Sequence, residues 1–363
     1  MEPELLLLVI LIVSVLCLSL ERKIAWFLHI NGICLIILCG VLLAALGFVP
    51  HQHALYDFFS GTLVPLAIAL LIMSLDIRLL TKLPRKFLAI YAIGIVASMS
   101  GALVAALIFR DLGLDAAKLA AQLGASYIGG GENAVAMQKI FNIPLPLFVG
   151  TFAVDNVLTS LWMLLMIFFI GPYRVQSEFV GVIEKPPPPM FTIIEILSLI
   201  FCAIGVVWIA QFLSTRIGLL HTLLYVSLLS ILAGQMGWVR RLSQSAYLLG
   251  VLLFLPFFFA IGAHSDFAAI ARLPAAVLAM PPIVVGVHGL IMVICGKFLR
   301  IPRHYLAVAS QSLIGGPSTA VAVAQAREWH EGVPIAVIAG VGGYAIANFI
   351  GVLIYRLAAA MCT

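Results

Sequence analysis

Apolar runs of roughly 16 to 25 residues succeed one another along the whole 363-residue chain, each about long enough to cross a hydrocarbon core of roughly 30 Å as a helix. Backbone groups in such a core must bond within their own segment, so a chain of this kind folds as an all-α polytopic membrane protein. With 63% hydrophobic and 10% charged residues, no stretch is left over for a soluble domain. The first run, Leu5 to Leu20, follows an acidic MEPE and no small-residue cleavage site comes after it, so it reads as a span and not as a removable signal. The six cysteines (Cys17, Cys34, Cys39, Cys202, Cys295, Cys362) lie in or beside apolar runs without CxxC or Cys/His spacing; neither a disulfide framework nor a transition-metal site is expected. The net charge of +5 calls for no nucleic acid, because loop Lys and Arg are what orient a chain in its partner, the bilayer.

The chain repeats itself at a lag near 190 residues. LGFV at Leu46 returns as MGWV at Met236, Tyr56 and Pro65 as Tyr247 and Pro256, and LDIRLLTKLP (Leu75 to Pro84) as SDFAAIARLP (Ser265 to Pro274). Residues 1–170 and 191–363 are therefore read as two copies, joined by a proline-rich linker at 171–190 whose four consecutive prolines cannot continue a helix. Each copy holds six apolar segments. In the first they are Leu5 to Leu20, Trp26 to Val49, Phe58 to Leu75, Phe87 to Phe109, Leu119 to Ile140 and Pro146 to Ile170. In the second they are Phe191 to Leu213, Ile217 to Val239, Ala246 to Ala263, Ala275 to Phe298, Tyr305 to Ala326 and Val333 to Tyr355.

The fifth segment of each copy is interrupted. SYIGGGENAVAMQ (Ser126 to Gln138) and SLIGGPSTAVAVAQ (Ser312 to Gln325) put glycines and polar residues where a membrane helix should be continuous. Loop charge indicates how these segments run. If all twelve segments cross, the twenty Lys and Arg divide ten and ten, against the cytoplasmic bias that orients membrane proteins. If each broken segment enters and leaves by one face, the division becomes fourteen to six. Five crossings per copy is an odd number, so the expected fold is two inverted repeats, each of five transmembrane helices plus one re-entrant glycine-rich hairpin. Both termini are then extracytoplasmic.

Unpaired backbone at membrane depth is tolerated only in a protein interior or a watery cavity, so the breaks mark a cavity. Helix N-termini there offer N–H groups to anions, and free carbonyls offer oxygen to cations. The plainer alternative is that Gly129, Gly130, Gly131, Gly315 and Gly316 only let helices pack closely. Two matched clusters, followed by Glu132-Asn133 and Ser318-Thr319, favour a binding site. Asp155 lies about ten residues into its segment, where an acid is costly unless it meets protein, water or an ion. Asn156, with Thr159 and Ser160 a turn on, adds the oxygens that Na⁺ prefers. Asn348 stands at the matching place in the second copy, without an acid. Asp155, Asn156 and Asn348 are the candidate ion-coupling residues; His288 and His221 read as helix-bonded histidines.

GASYIGGGENAVAMQKIFNIP and SQSLIGGPSTAVAVAQAREW closely resemble the two signature breaks of the YjcL-like membrane protein family, known as domain of unknown function 819, and the resemblance covers essentially the whole chain. That family is similar, more distantly, to glutamate:sodium symporters and 2-hydroxycarboxylate transporters, in which a core domain moves like an elevator against a dimeric scaffold. The resemblance implies a homodimer, with Ser126, Gly129 to Asn133 and Gln311 to Thr319 (including Gln311, Ser312, Gly315, Gly316, Ser318 and Thr319) lining the substrate site beside Asp155 and Asn156. Pro317 stands where a third glycine would be, so the two tips are not equivalent.

The expected function is an ion-coupled secondary transporter of a small polar or anionic organic solute, using Na⁺ or H⁺ and no other cofactor, in a bacterial inner membrane. A passive channel or export pore is the alternative. An intramembrane hydrolase, with Asp155 and Glu132 as an acid pair or Ser126 and His288 as nucleophile and base, is the lesser one, and no enzyme activity is expected. No Walker motif is present, so ATP does not drive the protein directly.

Overall fold

The computed structural model describes residues 1–23, 32–170, 192–264, 272–327, 329 and 331–362. Among these the regular elements are all helical. The expected linker at 171–190, the loop at 265–271 and the start of the second apolar segment lie outside the described residues. Among the described residues, and short turns such as Ile77–Leu80 aside, seven helices precede the linker: α1 (Pro3–Lys23), α2 (Gly32–Ala45), α3 (Ala54–Met73), α4 (Arg85–Ile108), α5 (Leu114–Gly129), α6 (Gly131–Phe141) and α7 (Leu145–Ile170). The short helix Gly237–Arg241 aside, seven described helices follow it in the same order: α8 (Ile193–Ile217), α9 (Thr222–Gly234), α10 (Ser243–His264), α11 (Ala275–Phe298), α12 (Arg303–Ile314), α13 (Gly316–Ala326) and α14 (Gly332–Cys362).

Eight of the described helices (α1, α3, α4, α7, α8, α10, α11 and α14) are long and apolar enough to cross a membrane, and α2 and α9 are shorter apolar helices. Exposed Ile193, Ile194, Phe201 and Trp208 on α8, and Leu5, Leu8 and Val15 on α1, give these helices the apolar outer face that lipid requires. The chain is a polytopic membrane protein.

Small residues set how closely the helices approach. At Gly101 of α4 an added Cβ would come 2.6 Å from the Val284 carbonyl oxygen of α11, so a side chain there would force the two long helices apart. Elsewhere helix geometry gives way: α3 passes through one π turn at Phe59–Leu63 just before Pro65, and that turn presents Ser60 to α6.

The helices gather into two bodies. In one, α10 packs on α2 and α3, α9 on α3 and α8, and α1 on α2 and α10. In the other, α4 packs on α11 and α5, α14 on α5 and α13, and α7 on α11 and α12. Contacts between the bodies are sparse and run chiefly from α14 to α3 and α9, and from α7 to α10. Side-chain hydrogen bonds cross this joint at Lys139, whose Nζ donates to the Ser60 carbonyl (2.5 Å) and hydroxyl (2.6 Å), and at Asn348, whose Nδ2 donates to Ser227 Oγ (2.9 Å).

Contacts along α14 and α7 fix the direction of the broken segments. Gly343 of α14 lies against Ile128 and Gly351 against Ala125, while Gly124 lies against Ile354, so α5 descends as α14 ascends. Gly351 also meets Met137, and Tyr355 stacks on Phe141 with ring centroids 4.0 Å apart, so α6 ascends with α14. α5 and α6 therefore run in opposite directions from the break at Gly130. The second pair does the same beside α7, where Thr159 meets Ile314, Trp162 meets Ser310 and Arg303 meets Phe169, while Arg327 donates to the Ile167 carbonyl. α12 is antiparallel to α7 and α13 parallel to it.

Candidate functional site

The turn between α5 and α6 is written in three residues. Gly130 sits at φ 87°, ψ 176°, which glycine alone adopts without strain. Its N–H donates to the Ser126 carbonyl (2.7 Å), closing α5, and the Asn133 side chain reaches back to the Gly129 carbonyl (2.8 Å), satisfying one acceptor that the break would orphan. In the second turn Gly316 has φ 74° and Pro317 occupies the first turn of α13, where its missing N–H costs nothing. The proline that replaces a third glycine thus preforms the start of α13. Gly340 of α14 has no room for a Cβ against it, which would lie 2.6 Å from the Pro317 nitrogen.

The two turns meet at Tyr344. A Cβ on Gly130 would lie 3.1 Å from the Tyr344 ring, and one on Gly316 3.5 Å from its hydroxyl. Beside them opens a cavity of about 420 Å³, lined on one side by Ser126, Gly130, Gly131, Glu132, Asp155, Asn156, Thr159, Gly315, Ser318 and Tyr344. The opposite wall belongs to the other body: Tyr247, Leu248, Val251, Leu252 and Leu255 of α10, with Leu18 and Ile33 of α1 and α2. The cavity is therefore at the joint between the bodies. A second cavity of about 370 Å³ shares Tyr247, Leu248 and Ser318 with it and continues toward Ser74, Ser243 and Val337.

Two buried carboxylates face this space, and among the described residues no Lys, Arg or His side chain lines it. Asp155 Oδ2 accepts from Ser126 Oγ (2.6 Å) and Oδ1 from Thr159 Oγ1 (3.3 Å). Thr159 Oγ1 also lies 3.5 Å from the Ile314 carbonyl oxygen at the end of α12, and Asn156 lines the cavity next in the chain. Asp155 thus sits among oxygens contributed by α5, α7 and α12. Glu132, 8% exposed on the first turn of α6, takes no hydrogen bond from any other described residue. Its Oε2 would be 3.0 Å from a Cβ on Gly130, and the same point is 3.1 Å from the Tyr344 ring and 3.7 Å from its hydroxyl, so Glu132 sits beside glycine backbone and the Tyr344 phenol, with Tyr247 close enough to feel its charge.

Of the residues marked in the sequence, Ser126, Gly130, Gly131, Glu132, Gly315, Ser318, Asp155 and Asn156 share this cavity. The others turn inward. Gly129 packs against Ala347 and the Asn133 amide, Gln311 donates to Thr319 Oγ1 (2.9 Å), and Ser312 donates to the Val308 carbonyl (2.7 Å). These side chains brace the hairpins from within. Asn348 is placed at the inter-body joint with Ser227 and does not line the cavity. Ser126 and His288 have separate partners: both ring nitrogens of His288 are 2.9 Å from hydroxyls, those of Ser98 and Ser310. Tyr247, Tyr344 and Phe152 also line the cavity and were not marked. Aromatic residues inside apolar runs carry no periodic signal, although Tyr247 is the repeat partner of Tyr56.

Comparison with known proteins agrees with this architecture at the level of the family. The family described as "Protein of unknown function (DUF819)" matches residues 7–185 and again residues 184–361. The uncharacterized membrane protein YjcL of Bacillus subtilis (strain 168) is 23% identical over 361 residues, an alignment covering 92% of this chain and 91% of that one. The chain is a membrane protein of the DUF819 family.

Proposed function

We propose that this protein is an ion-coupled secondary transporter of a small polar organic solute, driven by Na⁺ or H⁺. The observation that carries the proposal is a cavity holding Asp155 and Glu132 beside two helical turns that meet at Tyr344, at the joint of two sparsely connected bodies. In this reading the halves are inverted repeats of about 1–170 and 191–363, and α5–α6 and α12–α13 are re-entrant hairpins. Opposed hairpins let one site face either side by a sliding movement of the hairpin body (α4–α7, α11–α14) against α1–α3 and α8–α10, the elevator mode, with the latter body as a homodimer scaffold. An open pore is less favoured because the polar side chains gather at the two turns rather than in a continuous stripe. The protein then resides in a bacterial inner membrane with both termini outside; a reporter active only in the cytoplasm, fused after Thr363, should stay silent, and a strong signal would contradict this orientation.

Asp155 is the proposed coupling residue. A buried carboxylate is stabilised by a bound cation or relieved by a proton, so ion occupancy should act through it. The test is the melting temperature of purified protein across a sodium titration and a pH series. Wild type should gain stability with one of these ions by mass action. Asp155→Asn, equal in size and uncharged, should lose that response. Identical responses in both proteins would make Asp155 structural.

A further inference from the structure

We propose that the cargo is itself cationic: a small ammonium-bearing solute whose charge is met by Glu132 beside Tyr344 and whose apolar body rests on the α10 wall. The inference rests on the transport reading and narrows it. The cavity carries two carboxylates with no basic side chain against them among the described residues. Buried charge without a partner is costly, so each acid needs a cation or a proton when the site is filled.

Their surroundings differ in kind. Asp155 has hydroxyl oxygens from Ser126 and Thr159 around it, the hard ligands suited to a small ion. Glu132 has no such set; it is buried, receives no hydrogen bond from another described residue, and adjoins an aromatic ring. An aromatic ring and a carboxylate together suit an organic ammonium group, which the ring's π-electrons attract in a desolvated site. Across the cavity Leu248, Val251, Leu252 and Leu255 present an apolar surface, and the hydroxyl of Tyr247 on the same wall is hydrogen-bonded to Tyr344. The nearest cation on the same helix, Lys139, lies seven positions on and is spent on Ser60 and the Phe257 ring.

The test uses the full-length purified protein and two probes of matched size, n-butylamine and butyrate, at fixed pH in sodium buffer. Thermal stabilisation should saturate with the amine and be absent with the carboxylate. Glu132→Gln should weaken the amine response about ten-fold or more while leaving the sodium or pH response of Asp155 intact, and Glu132→Asp should preserve selectivity for the amine. Retention of the ion response shows that the variants are folded. Stabilisation by butyrate alone, or amine binding undiminished in a folded Glu132→Gln, would overturn the proposal. An ion response without any amine response would overturn it and leave the transport reading standing. Loss of every response, ions included, in wild type would overturn both.

Discussion

At the scale of single residues, Gly130 and Asp155 carry most of the argument, and both were legible in the sequence for physical reasons. A glycine run or an acid inside an apolar segment violates the membrane pattern and so announces a purpose. Gly130 is held by two constraints, a left-handed φ and a side-chain position only 3.0 Å from Glu132 Oε2 and 3.1 Å from Tyr344. Gly130→Ala is therefore expected to insert normally yet lose the ion-induced rise in melting temperature, with strain of about 1–3 kcal/mol at the turn. An unchanged ion response would return this glycine to a packing role. The bracing of Gln311 by Thr319 could not be read in advance, because a polar residue near a break looks the same whether its side chain faces the ligand space or the hairpin interior.

At the scale of elements, a buried chain of hydrogen bonds holds the hairpin body together. His288 of α11 bonds Ser98 of α4 and Ser310 of α12, Ser98 donates to the Tyr127 carbonyl of α5, and Ser310 accepts from Trp162 of α7. Five helices meet through one imidazole. The bonding of His288 to neighbouring helices was expected from its place in a span, but the partners belong to tertiary packing that no local pattern encodes. His288→Ala leaves two serine hydroxyls and a void, at a cost of about 1–3 kcal/mol for a lost buried hydrogen bond. It should lower the melting temperature and preserve the ion-induced increment. Loss of the increment at wild-type stability would instead place His288 in the ion pathway. The helix segments themselves were well marked by apolar length, with ends displaced by a few residues where caps such as Asn142 (φ 48°) and Pro144 set the stops.

At the scale of the whole molecule, the glycine turns that recur in the sequence stand at the same place in the order of helices on either side of residues 171–191. The division into two bodies was not legible in the sequence, because each body takes α-helices from before and after residues 171–191 and only packing reveals which. Movement of one body past the other is what separates a transporter from a pore. The most direct measurement is the distance between spin labels at Asp111, exposed between α4 and α5, and Thr215, exposed on α8, in a cysteine-free background reconstituted in lipid with and without the coupling ion. Two distance populations whose balance shifts with the ion are the expected result, and a single distance indifferent to every ion and solute would contradict alternating access by this joint.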